Sequence, residues 1–73
     1  MQISVKQLDG TKRDYNVEET MKIGDLKEEI GEATGVPVDA MRLIFGGKMQ
    51  EDEMTIAECT IKAGGCINMV MNL

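Results

Sequence analysis

Apolar and polar residues alternate near both ends of the chain, and this period of two predicts a β-strand at each end. The first strand covers residues 1–7 and the last covers residues 66–72. Their inward-facing residues are Met1, Ile3, Val5, Ile67, Met69 and Met71. A further strand over residues 11–17 follows the turn Leu8-Asp9-Gly10. Because Asp-Gly supports a tight reversal, the first two strands are predicted to form a hairpin.

A spacing of three and four residues predicts one helix over residues 23–33. Its apolar stripe consists of Ile23, Leu26, Ile30 and Ala33. Gly35 is placed to end this helix in the left-handed conformation. Lys22 is a poor N-cap, so Thr20 is expected to cap the helix and start it slightly earlier.

The middle of the chain predicts two further strands and a short helical turn. One strand covers residues 40–45, and the turn Gly46-Gly47 leads to a very short strand over 48–50. The segment Thr55-Ile56-Ala57-Glu58 has the spacing of a capping box. It predicts a single helical turn that ends near Cys59.

A hairpin followed by one helix and more strands is an α+β pattern. One helix covers one face of the sheet, so the other face meets water. The alternation places Ile44 and Val70 on that open face, and Leu8 is expected to be exposed at the hairpin tip. Basic residues lie nearby in sequence: Lys6, Arg42 and Lys48. Apolar residues with a basic rim predict a docking site, whereas the alternative is scattered surface aliphatics that need no explanation.

Composition excludes several classes of function. The 73 residues carry 8 Lys and Arg against 13 Asp and Glu, a net charge of −5. Nucleic-acid binding is not expected, because it depends on neutralising phosphates. No membrane partner is expected either, since there is no polybasic patch and no apolar run that would span a bilayer. We expect one domain over residues 1–73 and a monomer.

Candidate catalytic and metal-binding chemistry is sparse. The chain has no histidine, which removes the commonest general base and zinc ligand. The acidic run Glu51-Asp52-Glu53 is expected to be solvated rather than to bind a metal. Cys59 and Cys66 are expected to be free thiols in a reducing compartment, with a disulfide between them as the alternative. We therefore expect no enzyme, no catalytic residue, no metal and no cofactor.

Several segments of the chain resemble the ubiquitin-like family, in the same order and without gaps from Met1 to Leu73. They are Met1-Gln2-Ile3, Gly35-Val36-Pro37, Arg42-Leu43-Ile44-Phe45, Gly47-Lys48 and Glu51-Asp52. The resemblance implies a β-grasp fold with one main helix on a mixed sheet. It also implies that the first and last strands are parallel neighbours.

The resemblance implies two binding surfaces. The main patch is formed by Leu8, Ile44 and Val70, with Asn68 at a position where the family commonly has histidine. Leu8, Val36 and Met71 match a second apolar patch. The complete set of expected partner-binding residues is Lys6, Leu8, Val36, Arg42, Ile44, Gly47, Lys48, Asn68, Val70 and Met71.

The expected function is a non-catalytic docking module, at the amino terminus of a longer intracellular protein in the cytoplasm, the nucleus or both. Its expected partners are helices of ubiquitin-interacting motifs and ubiquitin-associated domains, and proteasome receptors. The alternative is a covalent modifier, a class whose members end in a Gly-Gly tail, but this sequence stops at Leu73 before such a tail. A third possibility is a scaffold that uses the acidic helix side around Glu28, Glu29 and Glu32.

Overall fold

The computed structural model describes residues 1–71 of the chain, so Asn72 and Leu73 lie outside the described residues. The elements are β1 (Gln2–Lys6), β2 (Lys12–Asn16), α1 (Ile23–Thr34), a 3₁₀ turn (Val38–Ala40), β3 (Met41–Phe45), β4 (Lys48–Met49) and β5 (Cys66–Met71). Each predicted strand and the predicted helix is present, with ends that differ by at most one residue. The predicted end of the last strand at Asn72 falls outside the described residues.

The strands form one five-stranded mixed sheet in the order β2-β1-β5-β3-β4. The terminal strands β1 and β5 are parallel neighbours, as predicted, and every other neighbouring pair is antiparallel. One helix packs against this sheet, which confirms the α+β class and the β-grasp architecture. The last strand β5 is therefore the central strand of the sheet, with β1 on one side and β3 on the other.

The core lies between α1 and one face of the sheet. Its side chains with no exposed surface include Ile3, Val5, Ile23, Leu26, Ile30, Leu43, Ile56 and Ile67. Three of the four predicted stripe residues of the helix are therefore buried, but Ala33 is exposed. Ala33 is one residue from the end of α1, where the three-and-four spacing continues although the sheet no longer covers the helix.

The start of α1 is capped by backbone rather than by a side chain, so the expected cap at Thr20 is wrong. Lys22 occupies the N-cap position and its side chain makes no capping hydrogen bond. The first two helical amides instead donate to a distant loop: Ile23 N–H to the Met54 carbonyl at 2.8 Å and Gly24 N–H to the Asp52 carbonyl at 3.0 Å. Two of the amide donors that a helix start leaves open are thereby satisfied.

The predicted capping box forms, and the predicted single helical turn is present, closed by the hydrogen bond from Cys59 N–H to the Thr55 carbonyl at 3.1 Å. Thr55 N–H donates to the Glu58 carboxylate at 3.0 Å, and Glu58 N–H donates to the Thr55 hydroxyl at 3.2 Å. The Thr55 hydroxyl also donates to the Glu58 carboxylate, at 3.1 Å. The bond from the Thr55 amide, followed by the one from the Thr55 hydroxyl, holds the pKa of Glu58 below its usual value. At the other helix end, Gly35 is left-handed with φ of 79°, as predicted.

Candidate docking surface

Alternation along β3 separates a covered face of the sheet from an open one. Met41 and Leu43 are buried towards the helix, whereas Arg42 and Ile44 point to the other side. In β5, Ile67 and Met69 are buried, and the residues that alternate with them, Cys66, Asn68 and Val70, face outward. Since residues directly opposite one another on neighbouring strands share a face, the outward residues of β1, β3 and β5 form one continuous surface.

The strand register brings the predicted patch residues together. Asn68 on β5 lies opposite Lys6 on β1 and opposite Ile44 on β3. Two residues further along β5, Val70 lies opposite Arg42. Residues that are far apart in the sequence therefore occupy adjacent places on three neighbouring strands.

Leu8, Ile44 and Val70 line one open depression of about 360 Å³. The remaining lining residues are Lys6, Gln7, Asn68 and Met69. Leu8 is 59% exposed, as predicted, because it lies in the turn beyond the end of β1. Ile44 and Val70 are half-buried rather than exposed, since each is flanked by side chains on the neighbouring strands. The depression thus combines one protruding aliphatic side chain with two that lie flatter on the sheet.

The expected basic rim is exposed at Lys6, Arg42 and Lys48. None of these three takes part in an ion pair within residues 1–71. The ion pairs found there join Lys22 to Glu53 at 3.4 Å and Lys27 to Asp52 at 2.6 Å. The rim cations are therefore available to acidic groups on a partner, although the chain as a whole is acidic.

Gly47 has a backbone role at the tip of the β3–β4 hairpin. Gly46 and Gly47 both have positive φ, 64° and 77°, and Phe45 pairs with Lys48 across them. Two consecutive residues with positive φ are the requirement of the two-residue type I′ hairpin turn. A Cβ at Gly47 would meet nothing within 4 Å, so the constraint is conformational, and it fixes where Lys48 and Met49 lie.

Met49 belongs to the open face but was not among the residues predicted from the sequence. It pairs with Ile44 and is 46% exposed. The strand it occupies has only two residues, too few for an alternation to be seen. The signal that would have found it is the Gly46-Gly47 turn, because a two-residue hairpin loop fixes Ile44 opposite Met49.

The second predicted patch is less compact. Val36 is half-buried and lines a separate groove beside the helix with Glu28, Gly31, Glu32, Pro37 and Val38. Met71 lies opposite Met41 and so faces the same side of the sheet as the core, as expected, but it is 38% exposed rather than buried. It lies at the end of β5, where the alternation continues but the cover over that face has ended.

The other candidate groups are the acidic run and the two cysteines. In the acidic run, Asp52 pairs with Lys27 and Glu53 with Lys22. Cys59 is 5% exposed, and burial, followed by the nearby Glu58 carboxylate, raises the pKa of its thiol. Cys59 and Cys66 are both free thiols, and Cys66 is exposed. Over residues 1–71, no helix has the length and apolar character needed to cross a membrane.

Comparison with known proteins identifies the class to which this fold and surface belong. A model of the ubiquitin family matches residues 3–73. Ubiquitin-like protein NEDD8 from Dictyostelium discoideum is 37% identical over the whole chain, which spans 95% of that protein. Large proline-rich protein BAG6 from Danio rerio is 33% identical over 96% of the chain, but the match covers only 6% of that protein. Ubiquilin from Dictyostelium discoideum is 29% identical over 96% of the chain and 13% of its own length.

The chain belongs to the ubiquitin family. Its relatives include three proteins of nearly the same length and two much longer proteins that contain a matching segment.

Proposed function

We propose that this chain is a non-catalytic protein-binding module that docks helices through the open face of its sheet. The partners are ubiquitin-binding helices, of the kind found in ubiquitin-interacting motifs and ubiquitin-associated domains, or proteasome receptors. The observation that carries the proposal is the single depression lined by Leu8, Ile44 and Val70 together with Lys6 and Asn68. In this depression, apolar side chains lie beside Lys6 and Arg42, neither of which has an acidic partner within residues 1–71.

The proposed mechanism divides the surface into an apolar centre and a polar rim. An apolar side chain of the partner packs against Leu8, Ile44 and Val70, and acidic groups of the partner approach Lys6, Arg42 and Lys48. The apolar centre supplies most of the affinity, while the rim favours partners of the right charge and speeds association. Asn68 offers a neutral hydrogen-bonding group at the centre, so its contribution does not depend on pH.

The size of this surface implies weak and reversible binding. The depression is open and the exposed apolar residues are few, so the contact is expected to bury less than about 1,200 Å² in total. Affinities in the micromolar to millimolar range are expected, equivalent to roughly −4 to −8 kcal/mol. Such a module acts inside the cell, in the cytoplasm or the nucleus, by recruiting its parent protein to a partner. The small share of ubiquilin and BAG6 that matches this chain supports a module within a longer protein.

The proposal is tested by titrating a ubiquitin-associated domain into ¹⁵N-labelled protein. Ile44→Ala is expected to weaken binding at least severalfold, because it removes a central apolar contact. The matched control is Val38→Ala, which truncates another half-buried aliphatic residue that lies in the separate groove beside the helix. Equal affinities of the wild type and Ile44→Ala would refute the proposal, provided that both variants keep the native spectrum.

The second candidate function is a covalent modifier. It is favoured by the match to NEDD8 from Dictyostelium discoideum, which spans 95% of that protein rather than a small part of it. The intact mass of the gene product, recovered from its source cells with an antibody to this domain, separates the two. A much larger polypeptide supports the built-in module. A species of about this size that ends in Gly-Gly, with a ladder of heavier conjugates, supports the modifier.

The surface around Leu8, Val36 and Met71 is proposed as a secondary contact. Leu8 and Met71 are exposed apolar residues, and Val36 lies beside the helix end. Partners that cover the main depression already contact Leu8, and they reach Met71 only if their contact extends to the end of β5.

A further inference from the structure

The apolar surface does not end at Ile44 but continues onto β4 through Met49. Met49 lies directly opposite Ile44 in the antiparallel pair of β3 and β4, so the two side chains share the open face. Met49 is 46% exposed, which places it outside the core. A large apolar side chain is therefore presented to solvent next to the centre of the proposed docking surface.

The register arranges the apolar residues as a diagonal band across the sheet. Val70 lies opposite Arg42, whereas Ile44 lies two residues further along β3, opposite Asn68. From Val70 to Met49 the band crosses two strand spacings and one two-residue step, a distance of about 12 Å between Cα atoms. Leu8 extends the band beyond Val70, since both line the same depression.

Polar residues occupy the two corners that the diagonal leaves free. Lys6 and Asn68 lie on one side of the band, in line with Ile44. Arg42 lies on the other side, in line with Val70. Within the part of the chain that the structure describes, neither Lys6 nor Arg42 has an ion-pair partner. The band is thus bordered by a cation on each side, in a chain whose net charge is −5.

We propose that Met49 is a specificity-determining residue of this surface and that the band selects an amphipathic helix with acidic residues on both flanks of its apolar stripe. This inference rests on the proposed docking function. A helix rises 1.5 Å per residue, so about eight residues span the distance from Val70 to Met49. Partners shorter than two helical turns reach the depression but not Met49. Methionine suits this position because its unbranched, flexible side chain adapts to different apolar partners.

The test uses a 16-residue designed peptide, stapled as a helix, with a leucine and alanine stripe and glutamate on both flanks. It is titrated into the ¹⁵N-labelled protein. Met49→Gln is expected to raise the Kd about fivefold, which corresponds to about 1 kcal/mol. Met49→Leu is the matched control and is expected to stay within about twofold, because it keeps an apolar side chain of similar size. The same peptide with lysine on one flank is expected to bind more weakly than the doubly acidic one.

The outcomes separate this inference from the docking function. If Ile44→Ala weakens the peptide and Met49→Gln does not, the role of Met49 is refuted while docking at the depression stands. If neither variant weakens it, the peptide binds elsewhere and both proposals fail for this ligand chemistry. If the wild type shows no saturable shift, the inference is overturned, and the titration with the ubiquitin-associated domain decides the docking function independently.

Discussion

At the scale of single residues, the backbone of Thr60 carries strain that the sequence alone does not show. Thr60 is the one non-glycine residue with positive φ, 59°, within residues 1–71. A β-branched side chain is disfavoured in this left-handed region, where the Cβ crowds the backbone. The turn around it holds this conformation: Thr60 N–H donates to the Ala57 carbonyl, and its hydroxyl donates to the Cys59 carbonyl.

Relieving this strain should stabilise the protein. Thr60→Asn is expected to raise the free energy of unfolding by about 1 kcal/mol, because asparagine tolerates the left-handed region better. Thr60→Val is the control, since it keeps the β-branch and removes only the hydroxyl, and it is expected to give no increase. Urea denaturation of the three proteins measures the effect. A loss of stability in Thr60→Asn would contradict this interpretation.

Tyr15 contains a polar atom that the core does not satisfy. Its hydroxyl is buried and has no hydrogen-bond partner among the described residues. Burial is the main cause that raises the pKa of Tyr15 above its usual 10.0; Glu29 adds to the rise and Arg13 opposes it. A buried unsatisfied hydroxyl is a net cost to folding.

Tyr15→Phe is therefore expected to raise the free energy of unfolding by about 1 kcal/mol at neutral pH. It should also change the alkaline limb of the stability curve. The folded state favours the protonated phenol, so the unfolded chain loses its proton first, and stability falls as the pH rises through 10.0 towards the folded pKa. Denaturation midpoints between neutral and alkaline pH check both points. A wild type that is more stable than the variant at neutral pH would show that the hydroxyl is satisfied.

At the scale of elements, the two glycines of α1 have different environments. A Cβ at Gly31 would lie 3.0 Å from the Val36 carbonyl oxygen. Gly31 therefore allows the chain that leaves the helix to pass close beside it. A Cβ at Gly24 would meet the Asp52 side chain at 3.4 Å, near ordinary van der Waals contact.

These environments predict opposite effects of the same substitution. Gly24→Ala is expected to raise the free energy of unfolding by about 0.5 kcal/mol through helix propensity and reduced chain entropy. Gly31→Ala is expected to lower it by about 1 kcal/mol, because the close backbone approach outweighs propensity. Guanidinium denaturation of both variants is the measurement. Equal stabilisation by the two substitutions would show that the segment at Val36 moves away without cost.

At the scale of the whole molecule, the net charge and the local charge of the open face have opposite signs. The chain carries a net charge of −5, whereas Lys6, Arg42 and Lys48 are exposed on or beside the open face. At physiological salt the Debye length is about 8 Å, and charges within that distance of each other dominate the encounter of two proteins. The local rim should therefore control how an acidic partner binds.

The salt dependence of binding shows whether the local basic rim or the net charge of the chain governs the encounter with an acidic partner. For a helical peptide with acidic flanks, raising the salt concentration is expected to weaken binding severalfold, because it screens attraction to the rim. Arg42→Gln should reduce this dependence. If the net charge governed binding, added salt would instead strengthen it by screening repulsion. Calorimetric or NMR titrations over a range of sodium chloride concentrations measure the sign.

The sequence pattern predicts which residues are buried better at the centre of an element than at its ends, and it does not predict long-range contacts. Periodicity identifies the buried residues at the middle of α1 and β5, because the partner surface covers them continuously. It is wrong for Ala33 and Met71, since the period continues where the cover stops. The backbone capping of α1 by the loop at Asp52 could not be predicted, as those residues meet only in the folded chain. The half-burial of Ile44 likewise depends on neighbouring strands.

Resemblance to the family indicates a function for the open face, which periodicity alone does not. Alternation alone places Ile44 and Val70 on an open face, but it does not separate a docking site from ordinary surface aliphatics. The family match and the shared depression together strengthen the first interpretation. Met49 was missed because its strand is too short to show a pattern, although the register of the glycine turn determines its position.

Chemical-shift mapping shows whether partners dock on the open face of the sheet. A ubiquitin-associated domain is titrated into the ¹⁵N-labelled wild-type protein, and every amide is followed. Docking on the open face predicts the largest shifts on β3, β4, β5 and the turn at Leu8, with little change along the exposed side of α1. Shifts confined to the acidic helix side around Glu28, Glu29 and Glu32 would contradict it and favour a scaffold that binds through the helix.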